Sequence, residues 1–168
     1  MMDQLIQVTS ASVVELFETM LMLEVVAGPG MVKPSTVPYV PAPAEISALV
    51  ELSGGLKGGV RLAMPQALAL HLASSLAGES YEVFSEDVRD GFAEICNIIA
   101  GGIQSKLEST IGDISLTPPT VTFGENDAVD LENSLESVRH FFSVQGNSFF
   151  VEFYFQGKKM DAGEGTDQ

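Results

Sequence analysis

A chain of 168 residues, 45% of them apolar, can build one domain with its own core and is too apolar to be disordered. Its formal charge of −15, from 8 basic and 23 acidic residues, repels phosphate backbones and anionic lipid, so neither nucleic acid nor a membrane is expected as a partner; a basic patch on a partner is drawn in. The absence of a basic-then-apolar leader, of a run near the roughly 18 apolar residues of a membrane span, and of any cysteine besides Cys96 predicts a cytoplasmic protein without disulfides.

Residues 10–23 have helical apolar spacing, with Ser10 or Ser12 as a cap and Gly28, Pro29 and Gly30 as the stop. Five of the eight prolines lie from Pro29 to Pro43, which predicts an extended connector and no element there. Ile46, Ala48, Val50 and Leu52 alternate as a strand. Gly54, Gly55, Gly58 and Gly59 punctuate a hairpin, and Val60, Leu62 and Met64 return as its second strand. Pro65 suits the first position of a helix that ends near Gly78. A long helix is predicted over 85–110, with Gly101 and Gly102 inside it at about 1 kcal/mol each; that cost predicts close approach by another backbone.

Pro118-Pro119 lead into a short strand, TVTF, and residues 125–136 form an acidic loop. A closing hairpin with a Gly146-Asn147 turn puts Val144 opposite Phe149, Phe142 opposite Val151, His140 opposite Phe153 and Val138 opposite Phe155. Its other face carries Arg139, Phe141, Phe150, Glu152 and Tyr154, so both faces need cover, from the chain itself or from a second copy. The tail 157–168 reads as disordered, leaving 1–156 as a single domain. The order helix, hairpin, helix, helix, strand, hairpin indicates an α+β fold with an antiparallel-rich sheet layered on long helices.

Chemistry is sparse. Cys96 lies at the edge of the buried stripe of the long helix, without a basic neighbour to activate it. Two histidines, His71 and His140, make no metal site and read as packing residues. SGGLKGG lacks phosphate-loop spacing, and ENDAVDLENSLE lacks the pattern of a calcium loop.

One constellation remains. On a helix turning about 100° per residue, Asp90, Glu94 and Asn97 fall within about 60° of one another. Phe92, Ile95, Ile99 and Ile103 occupy the opposite, buried side. A solvated helix face is the plain reading. Against it, Ala93, Ala100 and Gly101 leave the polar groups standing proud, and neither carboxylate has a lysine or arginine at the i+4 position.

These residues and Pro119 fit the pattern (Asp or Ser)-x3-Glu-x2-Asn-x21-Pro. With EICNIIAGG around it, and GGVRLAMP followed by an Ala/Leu helix before it, the chain resembles the CheC/CheX/FliY family of response-regulator phosphatases over roughly residues 8–156. CheC-like members carry two such motifs. Here the first helix offers only Ala11, Glu15 and Glu18, so the single intact motif resembles the CheX branch, whose members act as homodimers. FliY-like members add a switch domain for which this chain has no room.

The resemblance implies hydrolysis of the phospho-aspartate of a CheY-like receiver in chemotaxis or a related two-component pathway. It implies catalytic roles for Asn97, which would position water, and Glu94, which would pair with the receiver's lysine. Asp90, Ala93, Gly101 and Pro119 would bind or support. No cofactor is expected on this chain, since Mg2+ would come with the receiver. The alternative is a non-catalytic module of the same fold that sequesters a receiver or another partner.

Overall fold

The computed structural model describes residues 2–40, 42–124 and 135–156. Seven antiparallel strands form one sheet: β1 Val26–Lys33, β2 Ile46–Gly54, β3 Gly58–Met64, β4 Ile114–Leu116, β5 Thr120–Phe123, β6 Leu135–Val144 and β7 Asn147–Gln156. The spatial order is β1-β6-β7-β3-β2-β4, and β5 shares the outer side of β2 with β4. Three helices cover one face: α1 Met2–Leu16, α2 Gln66–Ala77 and α3 Glu86–Ile111. The core lies between these layers, where Phe17, Leu72, Phe92, Ile95, Ile99, Val60, Leu62, Phe142, Val151 and Phe153 are all buried. This is the α+β layering read from the sequence.

Most elements stand where the residue pattern puts them, and four details differ. First, the helix expected over 10–23 begins at Met2 and ends in a π-helical turn, Phe17–Leu21, because Met22 takes the left-handed conformation at φ 56° and its N–H returns to Phe17 O. Ser12, offered as a cap, is instead buried in mid-helix.

Second, Val26–Lys33 is a strand and not connector. It pairs with β6 from Val26↔Ser143 to Lys33↔Ser137, with an irregularity between Ala27 and Gly30 that accommodates Pro29. An edge strand needs ladder bonds on one side only, so a proline without an N–H is tolerated there.

Third, β4 was not anticipated. It pairs Leu52 with Leu116 and Gly54 with Ile114. Fourth, the two-residue turn of the closing hairpin is Gln145-Gly146, with φ 51° and 81°. Two successive positive φ values match the right-handed twist of the strands. Moving the turn by one residue shifts every partner by two: Phe142 faces Phe149, His140 faces Val151 and Val138 faces Phe153. An even shift leaves each side chain on its expected face.

That parity fixes how the second apolar face is covered. Residues 34–40 and 42–45 lie across the outer side of the sheet as a strap. Tyr39 Oη donates to Glu152, Arg139 Nη2 donates to Val40 O at 3.2 Å and Arg61 Nη2 to Ala42 O at 3.1 Å. Beneath the strap Arg61, Glu152 and Tyr154 are buried, and both guanidinium groups lie over the Phe150 ring at 5.4 and 5.6 Å. The apolar outer face is therefore explained by the chain's own cover, and it gives no argument for a second copy. Of the acidic loop expected over 125–136, Leu135 and Glu136 belong instead to β6, and 125–134, like the tail 157–168, lie outside the described residues.

Candidate functional site

α3 is positioned from three sides. Its apolar stripe of Val88, Phe92, Ile95, Ile99, Ile103 and Leu107 is buried against the sheet and the other helices. Cys96 Sγ donates to Ala48 O of β2 at 3.5 Å. A Cβ on Gly91 would come within 2.9 Å of Ala73 Cβ on α2, and one on Gly102 within 2.9 Å of Ser12 Oγ on α1. A close approach is found at Gly102, but by the Ser12 side chain and not by the other backbone that was expected. At Gly101 a Cβ would meet nothing within 4 Å, so this glycine faces open space.

The opposite side of α3 carries the polar strip. Asp90 and Glu94 are exposed and Asn97 is half-buried. By helix geometry the three span about 10 Å along the axis, with Gly101 in line on the next turn. Among the described residues none of these three side chains has a hydrogen-bond or ion-pair partner.

The strip continues through Gln104 and Glu108, which the sequence reading did not single out. These two are engaged: Gln104 Nε2 donates to Ile114 O at 2.6 Å, and Glu108 Oε2 accepts from Ile114 N at 3.1 Å. They fold the exit of α3 back along the helix. The only prior signal was their place in the i, i+3, i+4, i+7 progression from Asn97 and Gly101. The strip is therefore divided, with an open half from Asp90 to Gly101 and a half that does structural work.

Pro119 is half-buried and directly precedes β5. The register places β5 beside the Asn97 turn, because Cys96 lies over Ala48 and Ala48 pairs with Val121. Ala93 is half-buried and Ala100 buried, on the flank of α3 nearer β5. The structure thus brings Asp90, Ala93, Glu94, Asn97 and Gly101 onto one surface, with Pro119 leading into the strand along its border.

The other candidates are spoken for. Burial pushes the Cys96 thiol up to about 12, so it stays protonated and unreactive. His71 hydrogen-bonds Gln145 at 3.0 Å. His140 is buried, donates Nε2–H to Gly28 O at 3.2 Å and stacks on Phe142; desolvation lowers its pKa. On the first helix, Glu15 pairs with Lys106 at 2.8 Å, and Glu18 falls in the π-helical turn, which breaks the spacing a second motif would need. Among the described residues there is no group of three or more acidic, histidine or cysteine side chains able to hold a metal, and no helix is long and apolar enough to cross a membrane.

What this surface can do is present a carboxylate and an amide, unengaged and on a rigid helix, to another molecule's reactive group. The family described as "Chemotaxis phosphatase CheX" matches residues 46–143. The "CheY-P phosphatase CheX" of Thermotoga maritima is 30% identical over 95 residues, 56% of this chain; the match spans 61% of that relative's length. CheX from Vibrio vulnificus superposes with a TM-score of 0.76 at 24% identity, covering 90% of this chain and 99% of that one. A structure of the CheX-CheY-BeF3-Mg2+ complex from Borrelia burgdorferi superposes with a TM-score of 0.71 at 25% identity, covering 93% of this chain and 97% of that one.

Proposed function

The chain belongs to the CheX family of chemotaxis phosphatases, and on that premise we propose that it accelerates hydrolysis of the phospho-aspartate of a CheY-like receiver in the cytoplasm. The observation that carries this reading is the open half of the α3 strip, where Glu94 and Asn97 stand without partners on a helix that the fold holds from three sides. The name of the Thermotoga relative and the presence of CheY in the Borrelia complex support the choice of substrate.

Hydrolysis of an acyl phosphate needs positioning and charge stabilisation more than a protein nucleophile. Asn97 suits the first task because its amide both accepts and donates. Its Oδ1 accepts from the attacking water while Nδ2 donates towards the phosphoryl site. Water adds to phosphorus, the bond from phosphorus to the aspartyl oxygen breaks, and inorganic phosphate leaves a free carboxylate. The receiver brings the Mg2+ and the lysine. Glu94 pairs with that lysine, Asp90 supports the face, Ala93 and Gly101 keep it low, and Pro119 shapes its border. We include homodimerisation in this reading; what supports it is the open, apolar edge of β1, where Val26, Met31 and Val32 are exposed.

The test is phosphate release from a phosphorylated receiver. Asn97→Ala returns the rate to that of the receiver alone and leaves binding in place. Glu94→Ala removes one side of a partly desolvated pair, about 2 kcal/mol, and raises KM about 30-fold. Full activity in Asn97→Ala overturns the mechanism. Binding without acceleration by the unmodified chain leaves the sequestering module in its place.

A further inference from the structure

The open strip is not bounded by polar surface at its N-terminal end. Val83 is 71% exposed and Phe123 47% exposed. Phe84 packs edge-on against Phe123, ring centroids 5.6 Å apart and planes at 78°. Val83 and Phe84 lead into α3, and Phe123 ends β5. The shoulder they form is therefore tied to the candidate site along two routes. Along the helix, Glu94 lies about 12 Å from the first residue, Glu86, which follows Phe84 by two positions, and Asn97 about 4 Å beyond it. Along the sheet, Phe123 is four residues past Pro119 on the strand that borders the Asn97 turn.

Distance decides whether one partner can cover both. A standard protein interface covers about 800 Å² on each side, a patch about 30 Å across. A receiver seated with its phospho-aspartate over Asn97 reaches the shoulder without rearrangement. An exposed aromatic–aliphatic pair at that range is the kind of feature that carries interface energy, whereas the carboxylates around it act on encounter and orientation.

Charge narrows the partner further. Glu79, Glu82, Glu86 and Asp87 surround the shoulder and are exposed, with Arg89 the exposed basic residue on the adjoining turn. The Tyr81 phenol is pushed up by lost solvation and by the charges of Asp87 and Glu79, which shows that these carboxylates share one locality.

We propose that Val83, Phe84 and Phe123 form an apolar specificity shoulder on the receiver-docking face, accepting receivers that carry an apolar side chain flanked by lysine or arginine beside the phospho-aspartate pocket. This rests on the phosphatase reading and deepens it. The shoulder selects the receiver, and the strip acts on it. These residues are positioned for affinity alone, since none of them can reach the reacting atoms.

Two variants of the full chain test this. Val83→Ser removes the apolar contact without adding a charge, at a position exposed enough to leave Tm within about 2 °C of wild type. Phe123→Ser removes the ring from the other side. Each is expected to raise KM for a receiver that the wild type turns over, by about tenfold, with kcat unchanged, and Val83→Leu keeps the wild-type KM. An unchanged KM in both Val83→Ser and Phe123→Ser overturns the shoulder. Titration of the receiver against each variant separates this from the parent reading. If the wild type binds a receiver without hydrolysing its phosphate, the phosphatase reading fails, and the shoulder stands only if Val83→Ser weakens that binding. If the wild type neither binds nor turns over any receiver, both fall.

Discussion

Glu152 is a buried charge held by both Arg139 and Tyr39, and removing it tests how the outer face is closed. Its side chain is fully buried, and it sits between two arginines on neighbouring strands, opposite Arg61 on β3 and Arg139 on β6. Oε2 accepts from Arg139 Nε at 3.2 Å and Nη2 at 2.9 Å, and Oε1 accepts from Tyr39. Desolvation first, and then the Glu152 charge, raises the Tyr39 pKa, so the phenol remains a donor well into the alkaline range. Glu152→Ala leaves Arg139 without its ion-pair partner and Tyr39 without its acceptor, beside a second buried guanidinium over the same phenyl ring. Breaking a buried pair in this way costs about 3–5 kcal/mol. The Arg139 side chain is 22% exposed and can recruit water, which favours the lower end, about 3 kcal/mol. For a chain of this length that is a fall in Tm of about 6–12 °C. Glu152→Gln keeps the shape and one acceptor and is expected to lose about half as much. Thermal unfolding followed by circular dichroism measures the loss, and hydrogen exchange over residues 34–44 reports whether the strap has lifted. Because strap and α3 lie on opposite sides of the sheet, kcat on a phosphorylated receiver stays at the wild-type value below the transition. A Tm within about 2 °C of wild type, with an unchanged strap, would refute the reasoning.

Two glycines of α3 should respond oppositely to the same substitution. Gly101→Ala enters open space and gains about 1 kcal/mol of helix propensity, raising Tm by about 2–4 °C. Gly91→Ala has the same gain, offset by about 1–3 kcal/mol from a Cβ contact of 2.9 Å with Ala73, so it melts below Gly101→Ala; equal melting temperatures would show that α2 does not constrain the helix. His140 gives a pH dependence. Burial lowers its folded pKa below the unfolded value of about 6.5, so its contribution is fully present above about pH 6.5 and is lost as pH falls from there through the folded value. His140→Gln is therefore expected to flatten the fall in Tm below about pH 6.5 compared with wild type, and parallel curves would contradict this assignment.

The legibility of each element followed from what fixes it. α3 was readable because every constraint on it is local: a spaced apolar stripe, Ser85 before the first turn, and Glu86 and Asp87 within it. β1 was not readable, because seven of its eight residues are exposed and leave no alternation, while Gly28, Pro29 and Gly30 mimic a linker. Only the neighbouring β6 makes that segment a strand. β4 depends on Gln104 and Glu108 reaching across to Ile114, a contact visible only after the chain has turned back. The hairpin register hinged on Gln145, a non-glycine residue with φ 51°, where Asn147 was the expected turn former. The Asp90, Glu94, Asn97 and Pro119 spacing was legible from the sequence. Its limit was not, since nothing in the spacing says that the polar strip is open as far as Gly101 and engaged beyond it.

Catalysis by positioning makes the packing around Asn97 a functional matter. An amide that holds a water in line has no reactivity of its own to fall back on, and a displacement of about 1 Å can cost 100-fold in rate. The fold answers this by fixing α3 to β2 through Cys96, to α2 at Gly91 and to α1 at Gly102, on its buried side and one flank. At the two glycines an added Cβ would come within 2.9 Å of its neighbour, whereas the strip itself has room to spare at Gly101. The Gly91 and Gly101 pair therefore separates stability from positioning. Gly91→Ala is expected to lower kcat in the folded protein by moving the helix against α2, and Gly101→Ala to leave kcat unchanged while raising Tm. If Gly91→Ala melted lower yet hydrolysed phosphate at the wild-type kcat, rigid placement of α3 would not be what sets the rate, and the water would have to be held chiefly by the receiver.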